Sequence, residues 1–262
     1  MENALTSQQD RGLPGRPPRH SRAASLTRCR RRAPSSPPPR WIRTEELFEL
    51  SQTIASPLLV RYGYPWEILD ELGKFILQLG ESLSQDVYDK RGDGIWIAKT
   101  AKVAPSVSIT GPCIIGPDAE IRHCAFLRKN AIVGEKAVVG NSTEVKNAVL
   151  FNGVQAPHFN YLGDSVLGCK AHLGAGAVTS NLKSDRSPVS IRWEGNRTST
   201  GKRKLGAFLG DRVEVGCNSV LCPGTVVGRD SRIYPASRVR GAIPKEVIYK
   251  DEGIVFPIEK LR

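Results

Sequence analysis

The segment from Ile115 to Val139 reads IGPDAEIRHCAFLRKNAIVGEKAVV, with an aliphatic residue at every sixth position. An alanine follows each of the first four aliphatic residues by four positions. An α-helix repeats a face about every 3.6 residues and a strand about every 2, so neither produces this period. The same spacing continues on both sides. The aliphatic positions are Ile97, Val103, Ile109, Ile115, Ile121, Leu127, Val133, Val139, Val145 and Phe151 in a first tract, and Leu209, Val215, Leu221, Val227, Ile233 and Val239 in a second.

A six-residue period indicates hexapeptide repeats, in which each repeat forms a short strand and a turn, and three repeats form one triangular coil of a parallel β-helix. The aliphatic and the small residue both point inward, because a narrow prism has no room for two large side chains. Each coil pairs with the coils above and below it. We therefore predict an all-β protein built on a left-handed parallel β-helix. Its handedness is implied by the resemblance to the known hexapeptide class and not by the spacing.

The composition divides the 262 residues into four parts. Residues 1–40 contain nine arginines and only two acidic residues, and we predict a disordered basic tail. Residues 41–94 are predicted to form a small helical hairpin, with one helix over 44–56 that begins at a capping Thr44 and a second that begins at Pro65. The β-helix is predicted over 95–243, with an inserted loop at 180–206. Residues 244–262 form a C-terminal extension.

Charge and cysteine content restrict the function classes. The net charge is +12, but +7 of it lies in the tail, so the body gives little support for nucleic-acid binding. No apolar run approaches the roughly 20 residues of a membrane span, and we expect no membrane partner. The six cysteines form no C-x-x-C pair, which favours free thiols in a reducing compartment and gives no zinc signature. We expect a cytoplasmic protein, or an organellar one if the tail is a transit peptide.

The period is interrupted twice. After Phe151 the next inward position would be Pro157, but the following tract runs through Tyr161, Leu167, Leu173 and Thr179. This predicts an insertion of four residues, 157–160, that bulges outward and lifts His158 off the wall of the prism. The second interruption, 180–206, is basic and contains alternating apolar residues before Gly195 and Asn196, which predicts a small hairpin.

Three segments around the first interruption carry a resemblance to a known family. They are 139–146 (VGNSTEVK), 158–164 (HFNYLGD) and 173–181 (LGAGAVTSN). Together they resemble the acetyltransferase domain of the bifunctional glucosamine-1-phosphate acetyltransferase/N-acetylglucosamine-1-phosphate uridylyltransferase. The resemblance covers roughly residues 97–243. The family's uridylyltransferase domain is not expected here, because residues 1–96 are too short for it and contain no glycine-rich nucleotide loop.

The resemblance implies roles for ten residues, with acetyl-CoA as co-substrate and no metal. His158 matches the family's general base, and an imidazole suits that task because it titrates near neutral pH. Asn181 matches an asparagine of the same catalytic pocket. The resemblance assigns sugar-phosphate binding to Arg128, Glu144, Lys146, Tyr161 and His172, and assigns the coenzyme A arm to Gly174, Ala175 and Gly176. The family assembles as a homotrimer, so we expect a trimer here.

Two departures concern the acceptor side of that pocket. The family has asparagine where this chain has His172, and tyrosine where it has Leu182. The expected activity is therefore coenzyme A-dependent N-acylation of an amino-sugar phosphate or a related sugar nucleotide, with the acceptor open. One alternative is a non-catalytic β-helix that binds sugar phosphates or nucleotide sugars. Another is a zinc-dependent carbonic anhydrase of the same fold, but His123, His158 and His172 do not have the spacing of that family's ligands.

Overall fold

The computed structural model describes residues 38–250 and 253–258 of the chain. The predicted tail lies outside these residues except for its last three positions, and so does Cys29. The described part is built mainly from short strands that pair in parallel with strands one coil away. Cys113 pairs with Ala131, and Glu120 pairs with Val138, so one coil takes eighteen residues, which is three hexapeptides.

The coils form three faces, which we number in the order in which the chain visits them. Face 1 contains Ile95–Ala98, Cys113–Ile115, Ala207–Leu209, Thr225–Val227 and Ala242–Ile243. Face 2 contains Lys102–Val103, Glu120–Ile121, Val138–Asn141, Gln155–His158, His172–Leu173, Glu214–Val215, Arg232–Ile233 and Val247–Lys250. Face 3 contains Ser108–Thr110, Val178–Thr179, Val220–Leu221 and Arg238–Val239. Three long strands bend around the corner from face 3 to face 1: Phe126–Val133, Glu144–Leu150 and Tyr161–Leu167.

The predicted fold class, an all-β left-handed parallel β-helix, is confirmed. Most of the predicted inward aliphatic residues are buried, and the small residues between them are buried with them. The parallel stacking continues beyond residue 243, because Val247–Lys250 pairs in parallel with Arg232–Ile233. Tyr88–Lys90 and Ile254–Pro257 add antiparallel strands at the two ends of the stack.

The predicted four-residue insertion at 157–160 is wrong. Gln155–His158 is a regular strand of face 2, and His158 pairs with Asn141 of the preceding coil. The inward sequence runs Val145, Leu150, Ala156, Leu162, Leu167, so two steps are five residues long and the others six. Both short steps cross the corner between faces 3 and 1. Inserting four residues and deleting two residues shift a six-residue repeat into the same frame. The aliphatic positions after the interruption therefore fit both changes, and the sequence could not distinguish them.

Phe151 was assigned to the wrong position for the same reason. Leu150 pairs with Val133 and holds the inward position, whereas Phe151 lies at the corner and packs against Phe48, with ring centroids 5.1 Å apart. The equivalent corner positions in other coils are glycines, such as Gly134 and Gly168. A sequence signal for the true register was therefore present, in the glycines that follow the inward residues.

The helical segment differs from the predicted hairpin. Its α-helices are Thr44–Leu47, Ser56–Leu59 and Leu72–Glu81, with 3-10 turns at Arg40–Ile42, Leu50–Gln52 and Glu67–Asp70. No side chain caps the first helix, whose N-cap position is Arg43. This helix ends after one turn because Phe48 is extended, which lets the Glu49 N–H donate to the buried Asp211 carboxylate at 2.7 Å. Tertiary contacts therefore override the helical preference of 44–56.

The helical segment covers face 1. The outward side chains of this face are apolar and buried, except for the half-buried Ala242 in the last strand, and Trp66 packs edge-on against Phe208 at 5.8 Å. The predicted hairpin in the insertion is confirmed, with strands Ser190–Trp193 and Asn196–Ser199. Within residues 38–250 and 253–258, no helix is long and apolar enough to cross a bilayer.

Candidate active site

Face 3 carries a column of charged side chains on adjacent coils. Arg128 pairs with Lys146, and Lys146 pairs with Gly163 of the next coil. Arg128 Nη1 contacts Glu144 Oε1 at 2.6 Å, and the guanidinium also lies over the Phe126 ring. Among the described residues, no carboxylate lies within 4.0 Å of Lys146 Nζ. The column therefore offers one cation already paired with a carboxylate and one available to a ligand.

The Tyr161 ring lies along its own strand. A Cβ placed on Gly163 would be 2.5 Å from Tyr161 Oη, so glycine is required for the ring to lie flat across that position. The phenol oxygen accepts a hydrogen bond from Asn181 Nδ2 at 3.1 Å. Burial, followed by the charges of Glu144 and Asp164, raises the pKa of Tyr161, so the phenol keeps its proton. The hydroxyl thus lies over Gly163, whose strand partner is Lys146, and is protonated.

Four side chains at the corner between faces 3 and 1 form a ladder with seventeen-residue spacing: Asn130, Asn147, Asp164 and Asn181. Asn130 Nδ2 donates to Asn147 Oδ1 at 3.2 Å, and Asn147 Nδ2 donates to Asp164 Oδ1 at 2.8 Å. Asn181 Nδ2 donates to Asp164 Oδ2 at 2.6 Å. The first three residues have positive φ, which asparagine and aspartate tolerate better than most residues. We name these four residues the corner ladder.

His158 lies at the opposite corner, between faces 2 and 3. Its side chain is exposed, and its ring makes no hydrogen bond to any described residue. Its coil neighbours are Asn141, with which it pairs, and Gly174–Gly176, since the Gly176 N–H donates to the His158 carbonyl. His158 and Tyr161 are three residues apart, so the imidazole and the phenol border the same face.

Asn160 fixes this corner, a role that the sequence did not reveal. Its side chain is buried and accepts the His158 N–H at 3.2 Å. The same amide donates to the carbonyls of Gly174 at 2.9 Å and Ala177 at 3.0 Å. Asn160 therefore ties the backbone of His158 to the segment assigned to the coenzyme A arm.

The glycines of that segment are required by the stacking of coils. A Cβ on Gly174 would lie 2.6 Å from the Cys217 nitrogen, and Gly176 has φ of +71°. Both features explain these glycines without a ligand. Ala175 is half-buried at the same corner, so the residue next to His158 there has only a small side chain.

His172 is separated from the other residues predicted to bind the sugar phosphate and from Asn181. It faces outward from face 2, where its Nδ1 contacts Glu214 Oε2 at 2.8 Å. Arg128, Glu144, Lys146, Tyr161 and Asn181 instead meet on face 3 and its corner with face 1. Within the part of the chain that the structure describes, no group of three or more His, Cys, Asp or Glu side chains could hold a metal ion.

The stacked coils, each built from three repeats of about six residues, define a hexapeptide-repeat β-helix protein. The sequence matches the family model described as the GMPPB C-terminal domain over residues 109–243, just over half of the chain. The chain therefore belongs to this family.

Proteins similar in sequence include bifunctional enzymes of the kind that the three sequence segments resemble. The chain is 36% identical over 195 residues to the bifunctional sugar-1-phosphate nucleotidylyltransferase/acetyltransferase of Sulfurisphaera tokodaii, covering 68% of this chain and 45% of that protein. It is 31% identical over 213 residues to the bifunctional protein GlmU of Methanocaldococcus jannaschii, covering 74% and 48%. The chain thus spans about half the length of these relatives. Among solved structures, a variant of the Bacillus cereus N-acyltransferase AntD is 15% identical with a TM-score of 0.33, covering 69% of this chain and 89% of that one.

Proposed function

We propose that this chain is a coenzyme A-dependent N-acyltransferase that acts on an amino-sugar phosphate or a related sugar nucleotide. The observation that carries the proposal is the pairing of two features on one face. An exposed imidazole borders face 3 at one corner, and the Arg128–Lys146 column with the Tyr161 phenol lies toward the other. The name of the Sulfurisphaera tokodaii relative, which combines sugar-1-phosphate nucleotidylyl transfer with acetyl transfer, supports this assignment.

The two features suit the two ends of such an acceptor. Lys146 pairs with Gly163, which lies five residues after His158 in the chain, so the base and the cation belong to adjacent coils and border the same face. A phosphate would bind the Lys146 ammonium and the Tyr161 hydroxyl, since both can donate to its oxygens. The Arg128 guanidinium already contacts the Glu144 carboxylate, so it could bind the phosphate only by contacting both groups at once.

The proposed step transfers an acetyl group from sulfur to nitrogen. The amine attacks the thioester carbonyl carbon, a C–N bond forms and the C–S bond breaks. His158 takes the proton that the amine nitrogen loses and returns it to the departing thiolate, so the imidazole ends the cycle neutral. The acetyl-CoA arm would run along Gly174–Gly176, adjacent to His158.

Thiol release from acetyl-CoA tests this proposal. The purified chain should release coenzyme A only when glucosamine-1-phosphate or another amino-sugar phosphate is present. His158→Ala should lower the rate by about 10²-fold or more. Thermal unfolding should be unchanged, because the residue is exposed and its ring makes no hydrogen bond to any described residue. A His158→Ala protein with parental activity would exclude His158 as the base.

A second candidate is a binding domain without catalysis. It is favoured by the His158 ring, to which no described residue hydrogen-bonds, so no neighbour orients the imidazole as a base. In that case sugar phosphates would bind but no thiol would be released from acetyl-CoA with any amino sugar.

We also propose that the protein is a homotrimer, as in the family it resembles. Sedimentation should give three times the chain mass of 28.6 kDa. A monomer with full activity would contradict this.

A further inference from the structure

Asp164 is buried and has no role in the reaction described above, yet both of its carboxylate oxygens are used. Oδ1 accepts from Asn147 Nδ2 at 2.8 Å, and Oδ2 accepts from Asn181 Nδ2 at 2.6 Å. A carboxylate can only accept hydrogen bonds. The contact at Oδ2 therefore fixes which end of the Asn181 amide faces the corner.

The orientation of Asn181 decides the orientation of the Tyr161 hydroxyl. An amide nitrogen has two protons, and Asn181 Nδ2 uses one toward Asp164 and the other toward Tyr161 Oη at 3.1 Å. The phenol oxygen is thus an acceptor in this contact, so its own proton must point elsewhere. Among the described residues, no acceptor lies within hydrogen-bonding distance of that proton. It is available to a ligand next to Lys146.

We propose that Asp164 is a positioning residue that, through Asn181, holds Tyr161 as a hydrogen-bond donor to an oxygen anion of the bound ligand. This inference rests on the proposed function for the class of ligand. To the proposed function it adds a chain of hydrogen bonds from Asp164 through Asn181 to Tyr161. This chain orients the Tyr161 hydroxyl so that its proton is donated to an acceptor atom of the ligand. A fully ionised phosphate offers only hydrogen-bond acceptors, so this arrangement favours a phosphate oxygen as the ligand atom that contacts Tyr161.

The alternative is that the corner ladder only stabilises the turn. The two roles differ in what Asp164→Asn does. An amide at position 164 presents one NH₂ group to neighbours that are both donors, so one of them must reverse. A reversed Asn147 would turn its NH₂ group toward Asn130 Nδ2, which now donates to Asn147 Oδ1, so Asn181 is expected to reverse. A reversed Asn181 turns its carbonyl oxygen toward Tyr161 and captures the phenol proton. The ligand then loses the same hydrogen bond that Tyr161→Phe removes.

A double-mutant cycle measures this coupling without turnover. The probe is N-acetylglucosamine 1-phosphate, which has no free amine, titrated calorimetrically into the full-length chain. Tyr161→Phe should weaken binding about tenfold, as expected for a hydrogen bond to a charged group. Asp164→Asn should weaken it by a similar factor, and the double variant should lose no more than either single one. Inorganic phosphate should show the same pattern.

Two further variants separate positioning from stability. Asn130→Ala removes the far end of the corner ladder without touching Asn181, so it should lower the unfolding temperature and leave affinity unchanged. Asn181→Ala deletes the amide, so no carbonyl can capture the phenol proton, and it should cost less affinity than Tyr161→Phe. This variant also serves if Asp164→Asn fails to fold.

The contradicting results are distinct. Additive losses in the double variant, or an Asn181→Ala loss as large as that of Tyr161→Phe, would overturn the positioning role of Asp164. A loss confined to the sugar phosphate and absent with inorganic phosphate would overturn the oxygen-anion assignment. If the parent protein binds neither probe, the acceptor class of the proposed function fails instead. His158→Ala should bind both probes normally.

Discussion

The described cysteines divide into two environments. Cys124 and Cys217 are exposed at the corner between faces 2 and 3, whereas Cys113, Cys169 and Cys222 are buried. Complete burial raises the pKa of the Cys113 thiol to about 12. The thiolate is the reactive form of cysteine. Cys113 should therefore be unreactive in the folded protein, because reagents cannot reach its thiol and the thiol stays protonated.

Alkylation of the native protein should follow this division. With iodoacetamide at pH 8, peptide mass spectrometry should find Cys124 and Cys217 modified and Cys113 intact, and raising the pH to 9.5 should leave Cys113 intact. Denaturant should make Cys113 react at the rate of the exposed thiols. Rapid modification of Cys113 in the native state would contradict its burial.

Individual residues also show which parts of the candidate site could be predicted from the sequence and which could not. The motif at 158–164 pointed to His158 and Tyr161, and the structure explains its glycine and aspartate, because Gly163 lets the phenol lie flat and Asp164 orients Asn181. Asn160 and Asp164 were missed because their roles are hydrogen bonds to other coils. The spacing of 130, 147, 164 and 181 was a detectable signal, but it became meaningful only once a coil was known to take seventeen residues there.

At the scale of the elements, the six-residue period predicted the strands and most of the inward side chains, and the alternation of apolar residues before Gly195 and Asn196 predicted the inserted hairpin. It could not place the frame shift, because pairing partners decide whether residues are gained or lost. The helix expected over 44–56 failed for a related reason: the backbone is extended at Phe48, whose ring packs on Phe151, and the next N–H donates to Asp211. Contacts distant in sequence account for both errors.

Close approach of neighbouring coils gives a test at this scale. A Cβ on Gly140 would lie 1.7 Å from the Pro157 carbonyl oxygen, so Gly140→Ala must push apart the strand that carries His158. We expect a loss of about 3 kcal/mol in the free energy of unfolding, measured by urea denaturation.

Gly63→Ala is the matched control for Gly140→Ala. Its added Cβ would meet only Arg43 Nη2, at 3.6 Å, so stability should change by less than about 0.5 kcal/mol. Equal stability of the two variants would contradict the stacking described for Gly140.

At the scale of the molecule, the three faces have different tasks. Face 1 is apolar on both sides and is covered by the helical segment and by the buried side of the inserted hairpin. Lys202 of the insertion also contacts Asp70 of the helical segment. Within the described part of the chain, no helix or hairpin covers faces 2 and 3, and the candidate site lies on face 3 and its two corners.

Because this cover is part of the core, its loss should be felt by the entire β-helix. Trp66→Ala removes a ring that is 4% exposed, and we expect a loss of about 3–5 kcal/mol. Tryptophan fluorescence and far-ultraviolet dichroism should report one shared transition. Phe159→Ala, whose ring is 62% exposed, should leave stability nearly unchanged. Separate transitions for helices and strands in Trp66→Ala would show that the cover folds independently.

The central claim is that face 3 and its corners form one site with a base at one end and an anion cradle at the other. A crystal structure of the protein with coenzyme A and an amino-sugar phosphate tests it most directly. We predict the thiol at Gly174–Gly176 with the sugar amine beside His158, and the phosphate in contact with Lys146 and the Tyr161 hydroxyl. Ligands bound on face 2, or a sugar amine out of reach of His158, would contradict the account.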